Sequence, residues 1–376
     1  MKKPDVVAHA SHGQMLRHTI APARLRESFA LARPPSVRNG ALAGGQAALA
    51  VVLAAGALHY SPWPEMAGFA GLGGMAALFG RFGSPAQCRR IVLAAGCLLT
   101  APVALLSLAA WFQLPMVVML LMFSLMAGAL ASVAHRTQVG APGAVIFVFA
   151  ASAAITPIDS ASLWWQRVLA TALGAALAYV VCVLTDPLRD QSVQPAVPVP
   201  QPATASTLPP LTPGYAPSQS LRVALCAAIA SLGAYALGWS HPAWAAIGAI
   251  AIMQGIHLPH TIHRAWQRTI GTIIGAGIAW AILSMHPDFW HILAVVAVLQ
   301  FVTEVIIGYN YALGQMAITP MALLMTALSG HAGATEMAVS RIYDTALGAL
   351  VGIALALLFS TLDERMHLAR HHSGNH

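Results

Sequence analysis

Apolar runs of helix length, rather than alternating strands, set the pattern of this chain. Twelve follow one another, at 39–58, 66–80, 91–110, 114–134, 141–155 and 163–184, then at 221–239, 243–256, 269–285, 289–308, 311–328 and 338–360. Most approach the ~20 residues that carry a helix through bilayer hydrocarbon. Polar positions gather between the runs, whereas strands of a membrane barrel would alternate polar and apolar residues throughout. The pattern predicts an all-α, polytopic membrane protein of about twelve transmembrane helices. The second and fifth runs of each half are short and rich in Gly, Pro or Gln, so they are expected to be broken or tilted.

The last run of each half carries nearly one string: Arg167-Val-Leu-Ala-Thr171-Ala-Leu-Gly174-Ala and Arg341-Ile-Tyr-Asp344-Thr345-Ala-Leu-Gly348-Ala. The expectation is one membrane unit written twice. Six crossings per copy is an even number, so both copies enter from the same side, as two parallel six-helix repeats about an axis along the membrane normal. The stretch between them holds Gln-Pro-Ala-Val-Pro-Val-Pro-Gln-Pro, which cannot pack a core and reads as an extended, semi-rigid linker. The expected domains are a basic cytoplasmic N-terminus (1–38), a first repeat (39–185), the cytoplasmic linker (186–220), a second repeat (221–362) and a cytoplasmic tail (363–376). The N-terminal segment has no apolar core before a cleavage site, so no signal peptide is expected.

Composition supports the membrane reading: 58% of residues are hydrophobic and only 8% charged, against roughly 25% charged in soluble domains. The net charge of +7 would suggest nucleic acid in a soluble protein. Here topology accounts for it. With the N-terminus in the cytoplasm, Arg81, Arg89, Arg90, Arg136, Arg189, Arg222, Arg264, Arg268, Arg365 and Arg370 fall at inner loops. The outer loops hold Glu65, Asp159, Asp288 and Glu336, with no Lys or Arg. That is the positive-inside rule, and no nucleic-acid partner is needed. Cys88, Cys97, Cys182 and Cys226 lack pairing or metal spacing and read as small buried thiols. No nucleophile elbow or phosphate loop is present, so neither an enzyme nor a cofactor is expected.

The candidate chemistry begins with Arg167 and Arg341, each a few residues into a helix descending from the outer face. A charge at such depth is expensive in lipid and is found facing a bundle interior or a wet cavity. Two readings stand. Each arginine snorkels to the outer headgroups, or the pair flanks a central anion path, face to face across the pseudo-twofold. Asp344 follows Arg341 by three residues on one helix face, and either neutralises it or carries a proton; the first copy has Ala170 there. Glu304, near the inner end of the tenth run, is a second candidate for proton coupling or else snorkels. Gln254, Gln315 and Thr319 are candidate hydrogen-bonding residues along the path. Trp244 is a candidate substrate contact, although with Trp63, Trp111, Trp164, Trp165, Trp239 and Trp290 it first reads as part of an aromatic belt. His257, His260 and His263 lie in a basic turn without Cys or carboxylate, and no metal is expected. Gly73, Gly74, Gly271 and Gly275 suit close helix packing.

The segment His241-Pro-Ala-Trp244-Ala-Ala-Ile-Gly-Ala-Ile-Ala-Ile-Met-Gln254, continued by Arg264-Ala-Trp-Gln-Arg268-Thr-Ile-Gly271-Thr, resembles the hallmark of the fusaric acid resistance and aromatic acid exporter superfamily. Tyr311-Ala-Leu-Gly-Gln-Met-Ala-Ile-Thr319-Pro320 and Arg341 to Gly348 resemble the closing helices of that family. The resemblance covers nearly the whole second copy. The first copy is more distant, with Ser61-Pro-Trp63 where the family has a His-Pro-aromatic-Trp pattern. The resemblance implies a bacterial inner-membrane protein that exports small organic anions, chiefly aromatic carboxylates, using the proton gradient. The family is also similar to plant malate channels, in which a six-helix unit dimerises about an anion pore. Larger members carry a cytoplasmic domain between the halves, where this chain has the Pro-rich linker. A homo-oligomer or a periplasmic efflux partner fits this expectation. The alternatives are a passive anion channel and a non-transporting scaffold whose linker recruits a partner.

Overall fold

The computed structural model describes residues 36–80, 83–140, 142–188, 215–253, 258–328 and 333–359. Twelve α-helices lie among them. In the first half they are α1 (Val37–His59), α2 (Ala67–Gly74), α3 (Pro85–Trp111), α4 (Met116–Arg136), α5 (Ala144–Ala153) and α6 (Ala161–Thr185). In the second half they are α7 (Tyr215–Ala236), α8 (Pro242–Met253), α9 (Leu258–Ser284), α10 (Phe289–Ile306), α11 (Tyr311–Ala327) and α12 (Ala334–Leu358). Among the described residues, seven helices are long and apolar enough to cross a membrane: α1, α3, α4, α6, α7, α10 and α12. The second and fifth helices of each half are shorter, as their composition predicts. The eight residues of α2 rise only about 12 Å, although 3-10 turns at Pro64–Met66 and Met75–Leu78 extend it at both ends.

Polar residues at the run boundaries start the helices. Ser36, Ser84, Ser160, Asp288 and Asn310 each accept a hydrogen bond from a backbone N–H of the first turn. On Asp288 that bond from His291, joined by an exposed ion pair of 2.7 Å, holds the carboxyl below the usual aspartate range.

Helix faces are arranged for lipid rather than water. On α6, Arg167, Ala170, Thr171 and Gly174 are buried, while Leu169, Leu173, Val180 and Leu184 are exposed. Leucines outside and polar or small residues inside invert the pattern of a soluble helix. Leu49, Leu93, Leu121, Leu125, Val298 and Leu350 continue this apolar surface on other helices. The chain is a multi-pass membrane protein.

Helix pairing follows one scheme in both halves. In the first, α1, α2 and α6 pack mutually, α6 also packs on α3, α3 on α5, and α5 on α4. In the second, α7, α8 and α12 pack mutually, α12 also packs on α9, α9 on α11, and α11 on α10. The halves join through reciprocal contacts, α4 against α7 and α10 against α1. The tightest approaches are also repeated. A Cβ on Gly174 would fall on the Ala70 carbonyl and 2.9 Å from the Gly74 N, and one on Gly348 would fall on the Ala245 carbonyl and 2.7 Å from the Ala249 N. Only glycine lets α6 and α12 lie this close to the short α2 and α8.

One element departs from the expected boundaries. Helix α9 begins at Leu258 rather than near 269, so Arg264 and Arg268 belong to its buried face and not to an inner loop. Thr261, Arg264, Arg268 and Thr272 form a buried polar stripe at helical spacing. Arg89, Arg90 and Arg136 are exposed at helix ends.

Candidate functional site

The two repeated arginines are both buried, Arg341 at 3% exposure and Arg167 at 7%, which removes the reading that they snorkel to headgroups. Each stacks on an aromatic ring of the short second helix of its half. The Arg167 guanidinium carbon lies 5.2 Å from the Phe69 ring centre, and that of Arg341 lies 5.1 Å from Trp244. By this packing, Phe69 rather than Trp63 is the first-half counterpart of Trp244. Trp244 itself is buried beneath Arg341, unlike the exposed belt residues Trp111 and Trp290.

Beyond the stacking the two sites diverge. Arg167 donates to the Thr156 carbonyl at 3.0 Å and its Oγ1 at 2.8 Å, with a longer bond of 3.5 Å to the Ala154 carbonyl. Helix α5 ends at Ala153, so these carbonyls lie in a turn and are free to accept. Thr171, one turn along, bonds back to the Arg167 carbonyl at 2.8 Å.

Among the described residues the Arg341 guanidinium has no hydrogen-bond partner, and its Nε is fully enclosed. Thr345 Oγ1 and Asp344 Oδ1 are likewise buried without a hydrogen-bond partner. Asp344 lies on the same face but makes no direct ion pair with Arg341; its Oδ2 accepts from Ser340 Oγ at 2.9 Å. Arg341 feels the charges of Asp344 and of a second buried arginine, Arg268. Arg268 reaches from α9 to the Tyr311 hydroxyl at 3.2 Å and Gln315 Oε1 at 3.3 Å. Gln315 then donates to Thr319 at 3.3 Å, which in turn contacts Thr272 at 3.5 Å. Arg264, one turn before Arg268, lies 5.3 Å from the Tyr311 ring.

The result is a polar column inside the second half: Arg268, Gln315, Thr319 and the half-buried Tyr311 are joined by hydrogen bonds, Arg264 lies against the Tyr311 ring, and Arg341, stacked on Trp244, is within electrostatic reach of Arg268. Two guanidinium groups within electrostatic reach of each other, an aromatic ring under one of them and a neighbouring carboxylate are groups that suit an organic anion with an apolar body. Of the candidates read from sequence, Arg341, Trp244, Asp344, Gln315 and Thr319 belong to this column. Arg167 does not; it is held by the α5–α6 turn, and α6 and α12 do not pack against each other as a pair. Glu304 is also elsewhere, buried where α10 meets α1, with its Cβ 3.1 Å from where a Cβ on Gly44 would lie. Gln254 and His257 lie outside the described residues, as does the side chain of His260. Arg268, Arg264 and Tyr311 are the members that the sequence reading assigned to topology or to family resemblance alone. The spacing of Thr261, Arg264, Arg268 and Thr272 was the available signal.

Residues 225–355 match the family model described as fusaric acid resistance protein-like. The chain is also 35% identical over 141 residues to the "Uncharacterized membrane protein YvaC" of Bacillus subtilis (strain 168), a match that covers 37% of this chain and 22% of that protein. The chain thus aligns with about a fifth of that relative's length. No solved structure matches. The part of the chain that is similar to the fusaric acid resistance-like family, residues 225–355, contains Trp244, Arg268, Gln315 and Arg341.

Proposed function

We propose that this protein is a transporter of small organic anions, aromatic carboxylates foremost, moving them across a bacterial inner membrane with proton coupling. Both termini would be cytoplasmic, the α7–α8 and α11–α12 turns would face outward, and the halves would be parallel six-helix repeats with the assigned linker between them. The observation that carries the reading is the buried Arg341 guanidinium, which no group among the described residues hydrogen-bonds. Buried charged groups are costly unless paired, so a fixed cation of this kind favours an arriving anion or ordered water. Arg268 adds a second positive charge, and Trp244 supplies an aromatic face. Asp344 is the carboxylate placed to respond to the anion's charge. The same column disfavours a scaffold role, since headgroup-contacting arginines would be exposed.

The test is uptake and release of radiolabelled benzoate by proteoliposomes, alongside benzoate binding to purified protein. Wild-type protein should bind and move benzoate, with flux that responds to an imposed pH gradient. Arg341→Ala should lose both while remaining monodisperse. Wild-type flux indifferent to pH, carried as an ionic current, would make the protein a passive channel. Undiminished flux in Arg341→Ala would remove the anion reading.

A further inference from the structure

The carboxylate of Asp344 is joined to the start of α8 by a short hydrogen-bonded chain. Ser340 Oγ donates to Asp344 Oδ2 at 2.9 Å and lies 3.3 Å from His241 Nδ1. His241 is only half-buried, just before the N-terminus of α8, and its ring stacks on Trp244 with centres 4.2 Å apart. Its Nδ1 also lies 3.0 Å from Ser240 Oγ. Asp344 itself is fully buried. A half-exposed imidazole, a hydroxyl and an enclosed carboxylate in series are the components of a proton path.

We propose that His241 and Ser340 relay protons between the medium at the α7–α8 turn and Asp344. This rests on the reading of Asp344 as the titrating carboxylate of the anion site, and names the route by which it titrates. In the inward step the His241 imidazolium gives its Nδ1 proton to Ser340 Oγ as the Ser340 hydroxyl proton passes to Asp344 Oδ2. The imidazole is left neutral, the carboxylate becomes a carboxylic acid, and rotation of the serine hydroxyl resets the chain. When the ring is neutral with its proton on Nε2, the Ser240 hydroxyl can donate to Nδ1 and hold the ring in place.

The charged and titratable groups around Asp344 can be named element by element. Arg341 shares α12, and Arg268 faces the site from α9, with Tyr311 of α11 beyond it. Helix α8 carries no titratable side chain of its own. On α7, Arg222 is engaged with Phe359, Tyr235 is exposed, and Cys226 is enclosed in an apolar cluster. His241 is therefore the half-exposed imidazole hydrogen-bonded in series with Asp344.

The experiment is infrared spectroscopy of the full chain in nanodiscs, following the carboxylic acid C=O band through pH jumps and exchange into D2O. Asp344→Asn assigns the band by deleting it, and Asp344→Glu, which shifts it, serves if the amide variant is poorly folded. Ser340→Ala should shift the band and slow its protonation by at least about tenfold, and Ser340→Thr should restore the rate. His241→Ala should slow protonation by a similar factor. Unchanged kinetics in both Ser340→Ala and His241→Ala overturn the relay, as does a spectrum with no titrating band assignable to Asp344. Added benzoate separates the two proposals. If benzoate neither binds nor perturbs the band while the serine and histidine variants still slow it, the anion reading fails and the relay stands.

Discussion

Arg167 and Arg341 occupy corresponding places in the two halves, each over the aromatic ring of a short helix, yet their surroundings differ in one respect. In the first half the protein supplies the guanidinium's partners from the Thr156 and Ala154 region. In the second half no described residue hydrogen-bonds the Arg341 guanidinium, and a further cation, Arg268, stands within electrostatic reach instead. The same contrast holds one turn along, where Thr171 bonds the chain and Thr345 Oγ1 has no partner. A motif present in both halves is thus clamped by hydrogen bonds in the first and, among the described residues, left without them in the second. On the present proposal, transport chemistry belongs to the second half, and the first half braces it through the α1–α10 and α4–α7 contacts.

The largest expected effect is a reciprocal one. Arg167→Ala should lose about 2–4 kcal/mol of stability, because it removes charge-assisted hydrogen bonds and leaves carbonyls unsatisfied. Arg341→Ala should weaken benzoate binding by at least about 30-fold, the scale expected when one partner of a desolvated charge pair is lost. Its thermal midpoint should stay level or rise, since a buried charge with no hydrogen-bond partner among the described residues has been removed. Thermal unfolding and equilibrium binding on both variants check this. A large loss of stability in Arg341→Ala with binding retained would reverse the assignment of clamp and site.

Arg268→Ala comes next. It keeps Arg341 but removes the second cation, and should weaken benzoate about tenfold. Arg89→Ala and Arg90→Ala, exposed at the start of α3 in the other half, should leave binding unchanged. Equal effects from all three would mean that long-range charge, rather than the buried column, governs affinity.

Smaller again is the pH response. An ionised Asp344 offsets the positive charge that an anion needs, and a protonated one does not. Benzoate should therefore bind more tightly as pH falls, and Asp344→Asn should bind tightly at every pH. By linkage, the proton and the anion then favour each other's binding and travel together, which an inward proton gradient drives inward, whereas export driven by that gradient needs exchange. An exchanger, in which each displaces the other, would give the opposite slope. Binding isotherms from pH 5 to 9 decide between them.

The helices and the repeated string were legible from the sequence, because lipid imposes one composition on every crossing. The divergence of the halves was not. Ile155-Thr156-Pro157 and Ile318-Thr319-Pro320 are the same tripeptide. The first follows a helix that has ended at Ala153, and the second lies inside α11, which continues through Pro320 to Ala327. Whether a carbonyl beside that threonine is free to accept a bond depends on this helix end, which packing fixes and local composition does not. Arg264 and Arg268 were misplaced for a related reason. Basic residues between two apolar runs usually mark a loop, and only their spacing with Thr261 and Thr272 shows a buried helix face.

That tripeptide provides the finest test of the comparison. Thr156→Val keeps shape but deletes the Oγ1 that accepts from Arg167 at 2.8 Å. The carbonyl bond remains, so the loss should be about 1–2 kcal/mol of stability, with benzoate affinity unchanged. Thr319→Val removes the oxygen that accepts from Gln315, freeing Gln315 to turn from its place beside Arg268. Its effect should fall on benzoate binding, about threefold, with a smaller change in thermal midpoint. One threonine would thus report through stability and its sequence twin through binding. If both variants moved the midpoint alone, the second-half column would be packing of the same kind as the first, and the functional asymmetry drawn from Arg341 would fail with it.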